Sequence, residues 1–103
     1  MEEPPQISAE VLARYAGDAA LGVSGVAALA ETPLHRERAV EISSSDDETA
    51  VIVRIELEWG RGAGDVAREV QTRVVEYLAR MANLTVGSVD VVIAGVGTPP
   101  AKQ

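Results

Sequence analysis

A single histidine, His35, is the side chain of this sequence best suited to act as a general base. A serine hydrolase would need it beside Ser24 or one of Ser43–Ser45, with an acid to orient the ring. His35 instead stands in a charged connector, between Leu34 and Arg36, where a solvated surface histidine is the simpler interpretation. We therefore expect no catalytic residues, and the sequence predicts a protein that is not an enzyme.

Metal and cofactor sites find equally little support among the side chains present. Zinc requires about three or four well-placed nitrogen, sulfur or oxygen ligands, and the chain has one His and no Cys. Asp46-Asp47-Glu48 could offer oxygens to calcium, but three consecutive acids in a tight turn cannot all point at one ion. Gly95-Val96-Gly97 lacks the third glycine and the following helix of a dinucleotide-binding loop. We expect neither a metal nor a cofactor.

The segment Gly22-Val23-Ser24-Gly25 has the Gly-x-x-Gly spacing with which KH domains grip a nucleic-acid backbone. That grip usually works with nearby positive charge, whereas the neighbours here are Leu21 and Val26. The alternative interpretation is a break between two helical pieces, where glycine permits the turn. A KH-like nucleic-acid-binding domain is therefore kept as the second hypothesis for the function.

Charge and hydropathy exclude several classes of partner. The net charge is −7, which repels phosphate backbones and anionic lipid headgroups, so we expect no nucleic-acid partner. No apolar run approaches the roughly 18–20 residues needed to span a bilayer, and the acidic, proline-bearing start is unlike a signal peptide. We expect a cytoplasmic protein without direct membrane insertion.

Any functional side chain must be positioned by helices and strands, and the clearest pattern for such an element is the alternating run Val51–Trp59. Its apolar residues share one parity and its charged residues Arg54, Glu56 and Glu58 share the other. A period of two predicts a half-buried strand with one apolar face and one charged face. Trp59, the single Trp, lies on the apolar parity and is expected to serve either as a core plug or as an interface anchor.

Other patterns predict an α+β fold, namely a single α-β-β-α-β domain with a three-stranded sheet and both helices on one face. Ser8 is the expected N-cap of the first helix, and Asp65 or Gly64 that of a second helix over residues 66–82. The apolar stripe of this second helix is Val66, Val70, Val74, Leu78 and Met81, and Asn83 is expected in the left-handed position after its last turn. The strand at Val51–Trp59 and the short strand before it are expected to form an antiparallel hairpin. The remaining predicted pieces are a short helical segment at Val26–Leu29, strands at Ala39–Ser43 and Ser88–Ala94, flexible tails at residues 1–6 and 96–103, and a folded domain at residues 7–95.

Several phrases, taken in order, resemble the alkaline-shock-protein family, which is also called the cell-envelope stress-response family of Gram-positive bacteria. They are Ile7-Ser8-x-x-Val11-Leu12, Tyr15-Ala16-x-x-Ala19-Ala20, Val23-Ser24-Gly25-Val26, Glu58-Trp59-Gly60, Val70-Gln71-x-x-Val74, and Val86-x-x-Val89-x-Val91-x-Ile93-x-Gly95. Together they cover nearly the whole predicted domain.

This resemblance implies a small non-enzymatic protein linked to envelope stress. It implies self-association into a homo-oligomer, and attachment to the inner face of the membrane through a small membrane-anchored protein partner. For this chain we expect the interaction surface on the uncovered side of the sheet, with Arg54, Glu56, Glu58 and Trp59 as the candidate residues.

Overall fold

The computed structural model describes residues 7–31, 38–45 and 48–98. The described elements form an α+β domain and are, in chain order, α1 (Ala9–Leu21), β1 (Val26–Leu29), β2 (Val40–Ser45), β3 (Glu48–Leu57), α2 (Ala63–Ala82) and β4 (Ser88–Val96). His35, the pair Asp46-Asp47 and the predicted tail at residues 1–6 lie outside the described residues, as do residues 99–103 of the other tail.

The ten-residue strand β3 is the centre of the sheet, because every other strand pairs with it. Along one side it pairs antiparallel with β2, from Val40 opposite Val53 to Ser45 opposite Glu48, which confirms the predicted hairpin. Along the other side it pairs in parallel with β4. The sheet is therefore mixed, as expected when a helix connects β3 to β4.

Strand β1 corrects the predicted topology, since Val26–Leu29 is a strand and the sheet has four strands rather than three. It pairs antiparallel with the end of β3, placing Val26 opposite Leu57 and Leu29 opposite Ile55. The β2 pairing ends at Val53, so β2 alone would leave the backbone groups of the last β3 residues without hydrogen bonds on that side. Satisfying those groups outweighs the helix propensity of the Ala-rich segment.

One face of the sheet packs against both helices and forms the core. The inward residues of β3, Val51, Val53, Ile55 and Leu57, are at most 5% exposed. Tyr15 of α1 and Tyr77 of α2 meet edge to face, with ring centroids 6.0 Å apart. Most of the buried side chains are Ala and Val, so the layers are thin and few anchors are large.

The second helix begins earlier than predicted and turns one predicted core residue outward. Its N-cap is Gly62, not Gly64 or Asp65, while Asn83 takes the expected left-handed conformation after its last turn, at φ 52°. Val66, Val70, Val74 and Leu78 are buried along the predicted stripe, but Met81 is 45% exposed. Met81 therefore contributes little to the core.

Ser8 caps α1 as predicted, because its Oγ accepts a hydrogen bond from the Val11 N–H at 3.2 Å. Replacing Ser8 by Ala is expected to lower the free energy of unfolding by about 1 kcal/mol, since that amide loses its partner. Urea denaturation followed by far-UV circular dichroism measures the change. Ser8→Asp is the control and should stay close to wild type, because a carboxylate caps equally well; equal losses for both variants would contradict the cap.

Candidate interaction surface

The side of the sheet opposite the helices is uncovered by any described residue and is called the open face here. The pairing register places on it the residues of β2, β3 and β4 that alternate with the core residues. They are Glu41, Ser43, Glu48, Ala50, Ile52, Arg54, Glu56, Ser88, Asp90 and Val92. Four carboxylates and one guanidinium thus share a surface with exposed apolar groups such as Val92, which is 41% exposed.

Arg54 ties β3 to β2 at the centre of the open face. Its Nη1 donates to a Glu41 carboxylate oxygen and, at 2.8 Å, to the Arg38 carbonyl oxygen. The Arg54 side chain is only 15% exposed, whereas that of Glu41 is 46% exposed. The guanidinium charge is therefore largely used within the protein, and the charge that the open face presents outward is negative.

Glu56 lies further along β3 and inclines toward β4. Its backbone pairs with Gly95, and a Cβ built on Gly95 would lie 3.8 Å from Glu56 Cγ and 3.9 Å from Glu56 Oε1. Because Gly95 has no side chain, the Glu56 side chain can lie against its backbone. The Glu56 carboxylate therefore leans from β3 toward β4.

Glu58 and Trp59 follow the last residue of β3 and stand at the end of the sheet. The Glu58 N–H donates to the Gly25 carbonyl at 2.8 Å, and its carboxylate accepts from Arg61 at 3.3 Å. Trp59 is 58% exposed, so the core-plug alternative is wrong. The turn continues through Gly60, at φ 84°.

Trp59 has an exposed apolar neighbour at the same end of the sheet. Val96, the last residue of β4, pairs in register with Leu57 and is 53% exposed. The Gly97 N–H then donates to the Leu57 carbonyl at 2.7 Å, two residues before Trp59. β4 therefore continues past its predicted end at Ala94 and brings a second apolar side chain to this end.

Of the four predicted interaction residues, Arg54 and Glu56 share the open face, and Glu58 and Trp59 lie at its end. These four residues leave out three acids of the open face, Glu41, Glu48 and Asp90. Asp90 was detectable from its position between the inward residues Val89 and Val91. Glu48 was assigned to a turn, whereas it is the first residue of β3.

The Gly-x-x-Gly segment is the connection between α1 and β1. Val23 within it is buried, and Ser24 Oγ accepts a hydrogen bond from Arg61 Nη1 at 3.0 Å. The shallow depression beside it also contains the carboxylates of Asp65 and Glu69. These contacts describe a tight turn next to acids, and they give no support to a nucleic-acid grip.

A depression with a volume of about 630 Å³ lies between the two helices. Asp18 of α1 lies on one side of it, and α2 contributes Glu69, Arg73, Glu76 and Arg80; Glu69 Oε1 accepts from Arg73 Nε at 3.4 Å. The charges of these side chains are nearly balanced. Across residues 7–31, 38–45 and 48–98, no three His, Cys, Asp or Glu side chains group as metal ligands would.

Comparison with known families was made on the whole chain. The model of the alkaline-shock-protein family, described as having a cell envelope-related function, matches residues 2–98. This chain belongs to the alkaline-shock-protein family. The match confirms the resemblance drawn from the sequence phrases, and it links this alkaline-shock-family chain to the cell envelope. Searches of curated proteins and of solved structures returned no significant match.

Neither helix of the part described here has the length and apolar character required to traverse a bilayer.

Proposed function

We propose that this alkaline-shock-family protein is a non-catalytic, cytoplasmic component of the envelope stress response in a Gram-positive bacterium. It acts by binding, either to further copies of itself or to a small membrane-anchored partner that holds it at the inner face of the membrane. The observation that carries the proposal is the uncovered sheet face that ends in Trp59, a tryptophan 58% exposed to solvent.

A binding role is supported by what this surface contains. Exposed Trp59 offers apolar area at the end of the sheet, where Val96 is also exposed, and aromatic side chains are the residues most enriched among energetic hot spots of interfaces. The surrounding carboxylates supply the polar rim that sets partner choice and register. Glu58 is held by Arg61 and by the Gly25 carbonyl, so the base of the Trp59 turn is fixed before a partner arrives.

The proposal is tested by replacing Trp59 with Ser. We expect wild-type protein to associate, seen either as a molar mass that rises with concentration in light scattering or as co-sedimentation with membranes of the expressing Gram-positive cells. Trp59→Ser should weaken this association at least about tenfold, the usual effect of removing a hot-spot anchor. Arg54 is less suitable for the test, because its contacts to Glu41 and Arg38 also hold the sheet together.

Met81→Ser is the matched control, since Met81 is an exposed apolar residue on α2 rather than at the sheet end. It should associate as wild type does. Wild-type protein that stays monomeric at every concentration and never sediments with membranes contradicts the proposal. Equal association of Trp59→Ser and wild type assigns the binding to a different surface.

A further inference from the structure

The outer edge of β4 is the longest strand edge that lacks a partner among the described residues. β4 has nine residues and pairs with β3 only. Edge strands usually carry lysines, prolines or covering loops that prevent further pairing, but β4 contains neither Lys nor Pro. One edge group is covered, because Gln71 Nε2 of α2 donates to the Val89 carbonyl at 3.0 Å. Past Val89, no hydrogen bond from a described side chain covers the strand.

We infer that β4 receives an extended, basic segment of a partner protein, added as a further strand whose Lys or Arg side chains lie on the open face. An added strand would run about 4.8 Å from β4. Its open-face side chains would lie directly beside Asp90 and Val92. Backbone hydrogen bonds would supply affinity, and the alternate side chains would supply specificity.

The order of groups along β4 defines the segment that fits. Asp90 comes first, Val92 follows two residues later, and the Glu56 carboxylate then covers Gly95. An acid, an apolar group and an acid thus succeed one another at roughly strand spacing. The complementary segment carries a base, an apolar residue and a base at alternate positions.

A second copy of this chain is a poor occupant of the same edge. Antiparallel pairing of two β4 strands about Val92 would set Asp90 of each copy close to Glu56 of the other, and like charges opposite one another are destabilising. None of β1, β2, β3 and β4 has bases at alternate positions. The net charge of −7 adds a general repulsion between copies.

The cytoplasmic flank of a membrane span is the source to which we assign this segment. Short cytoplasmic stretches beside membrane spans carry an excess of Lys and Arg. This assignment rests on the proposed function, which it deepens by giving the chemistry of the membrane-anchored partner. An acidic protein that lipid headgroups repel would reach the membrane surface through a basic strand of its anchor.

The experiment uses a fluorescein-labelled synthetic nonapeptide in which Lys, Val and Lys occupy alternate positions with Thr between them. Fluorescence anisotropy with the full chain should show binding that weakens as salt rises. The same peptide with Glu in place of Lys should not bind. Asp90→Asn and Glu56→Gln should each weaken binding about two- to fivefold, and the double variant about tenfold.

Two controls separate strand addition from general attraction to an acidic protein. Glu76→Gln removes the same charge from α2 and should bind as wild type. A Lys peptide with N-methyl groups on alternate backbone nitrogens keeps its charge but cannot pair with β4, and it should lose binding. Equal binding of the methylated peptide, or of the double variant and wild type, overturns the inference.

The inference and the proposed function can fail separately. Absence of binding by the Lys peptide, while wild-type protein still associates through Trp59, overturns the basic-strand inference and leaves the proposed function standing. Absence of both overturns both. Binding by the Lys peptide that is about tenfold weaker in the double variant and unchanged in Trp59→Ser supports β4 as a docking edge distinct from the tryptophan contact.

Discussion

Replacing Gly25 by Ala is expected to lower the free energy of unfolding by about 2–4 kcal/mol, which combines left-handed strain with overpacking. Gly25 has φ 104°, and a Cβ there would lie 2.6 Å from Val66 Cγ2. That contact joins the α1–β1 turn to the first buried residue of α2. Since a domain of this size has only about 5–15 kcal/mol in total, urea denaturation should show a clear loss.

Three further substitutions separate the two causes of that loss. Gly60→Ala tests strain alone, because φ is 84° and nothing lies within 4 Å of the added carbon; it should cost about 1–2 kcal/mol. Gly64→Ala in α2 meets no atom either and should be neutral or stabilising by up to about 1 kcal/mol. Val66→Ala combined with Gly25→Ala should cost less than the sum of the single changes. A loss for Gly25→Ala no larger than for Gly60→Ala would contradict the role of the Val66 contact.

Replacing Leu78 by Ala is expected to cost about 2–5 kcal/mol, the largest effect of any single truncation on α2. Leu78 is fully buried and, with Ile55, is among the largest of the enclosed side chains. The surrounding core is mostly Ala and Val, whose short side chains cannot extend into the space that Leu78 leaves. The free energy of unfolding from urea denaturation, followed by circular dichroism, measures the loss.

Met81→Ala is the control for that prediction, because Met81 lies on the same helix, three residues later, and is 45% exposed. Its free energy of unfolding should stay within about 0.5 kcal/mol of wild type. Comparable losses for both variants would mean that the last turn of α2 is packed differently from the arrangement described.

Periodicity was enough to predict the core of this fold. The alternation identified the four buried apolar residues of β3, and helical spacing identified Val66, Val70, Val74 and Leu78. Both patterns depend only on which residues avoid water, so they can be read locally. Met81 also fits helical spacing, but the buried positions recur at intervals of four from Val66 to Leu78, so the next residue that packs against the core is Ala82 and Met81 is turned outward.

The missed strand β1 depended on a contact distant in sequence. Val26–Leu29 is rich in Ala and Leu, which favour helix when considered alone. Its structure is decided by the end of β3, whose backbone groups β2 does not reach. The predicted lengths contained a clue, because a five-residue partner at Ala39–Ser43 could not cover a nine-residue strand at Val51–Trp59.

Parity also predicted the positions of only some of the candidate interaction residues, whose role in an interface stays a prediction. Arg54 and Glu56 followed from parity and do lie on the open face. Trp59 has the parity of the core, but β3 ends at Leu57 and the chain turns at Gly60 before the ring could reach the interior. The outward direction of Asp90 was detectable from its alternation with Val89 and Val91, but its place beside Ile52 depends on the β3–β4 register, which is set by tertiary structure.

The central position of β3 has a consequence for how the chain is made. Its antiparallel partners β1 and β2 precede it, whereas its parallel partner β4 begins at Ser88, after α2. Ribosomes add roughly 5–20 residues per second, so the interval between completion of β3 and arrival of β4 is roughly 2–6 s. During that time the nascent chain carries an unsatisfied valine-rich strand that can pair with another chain. Until β4 arrives, the edge of β3 that β4 later covers is therefore the part of the sheet most exposed to pairing with another chain.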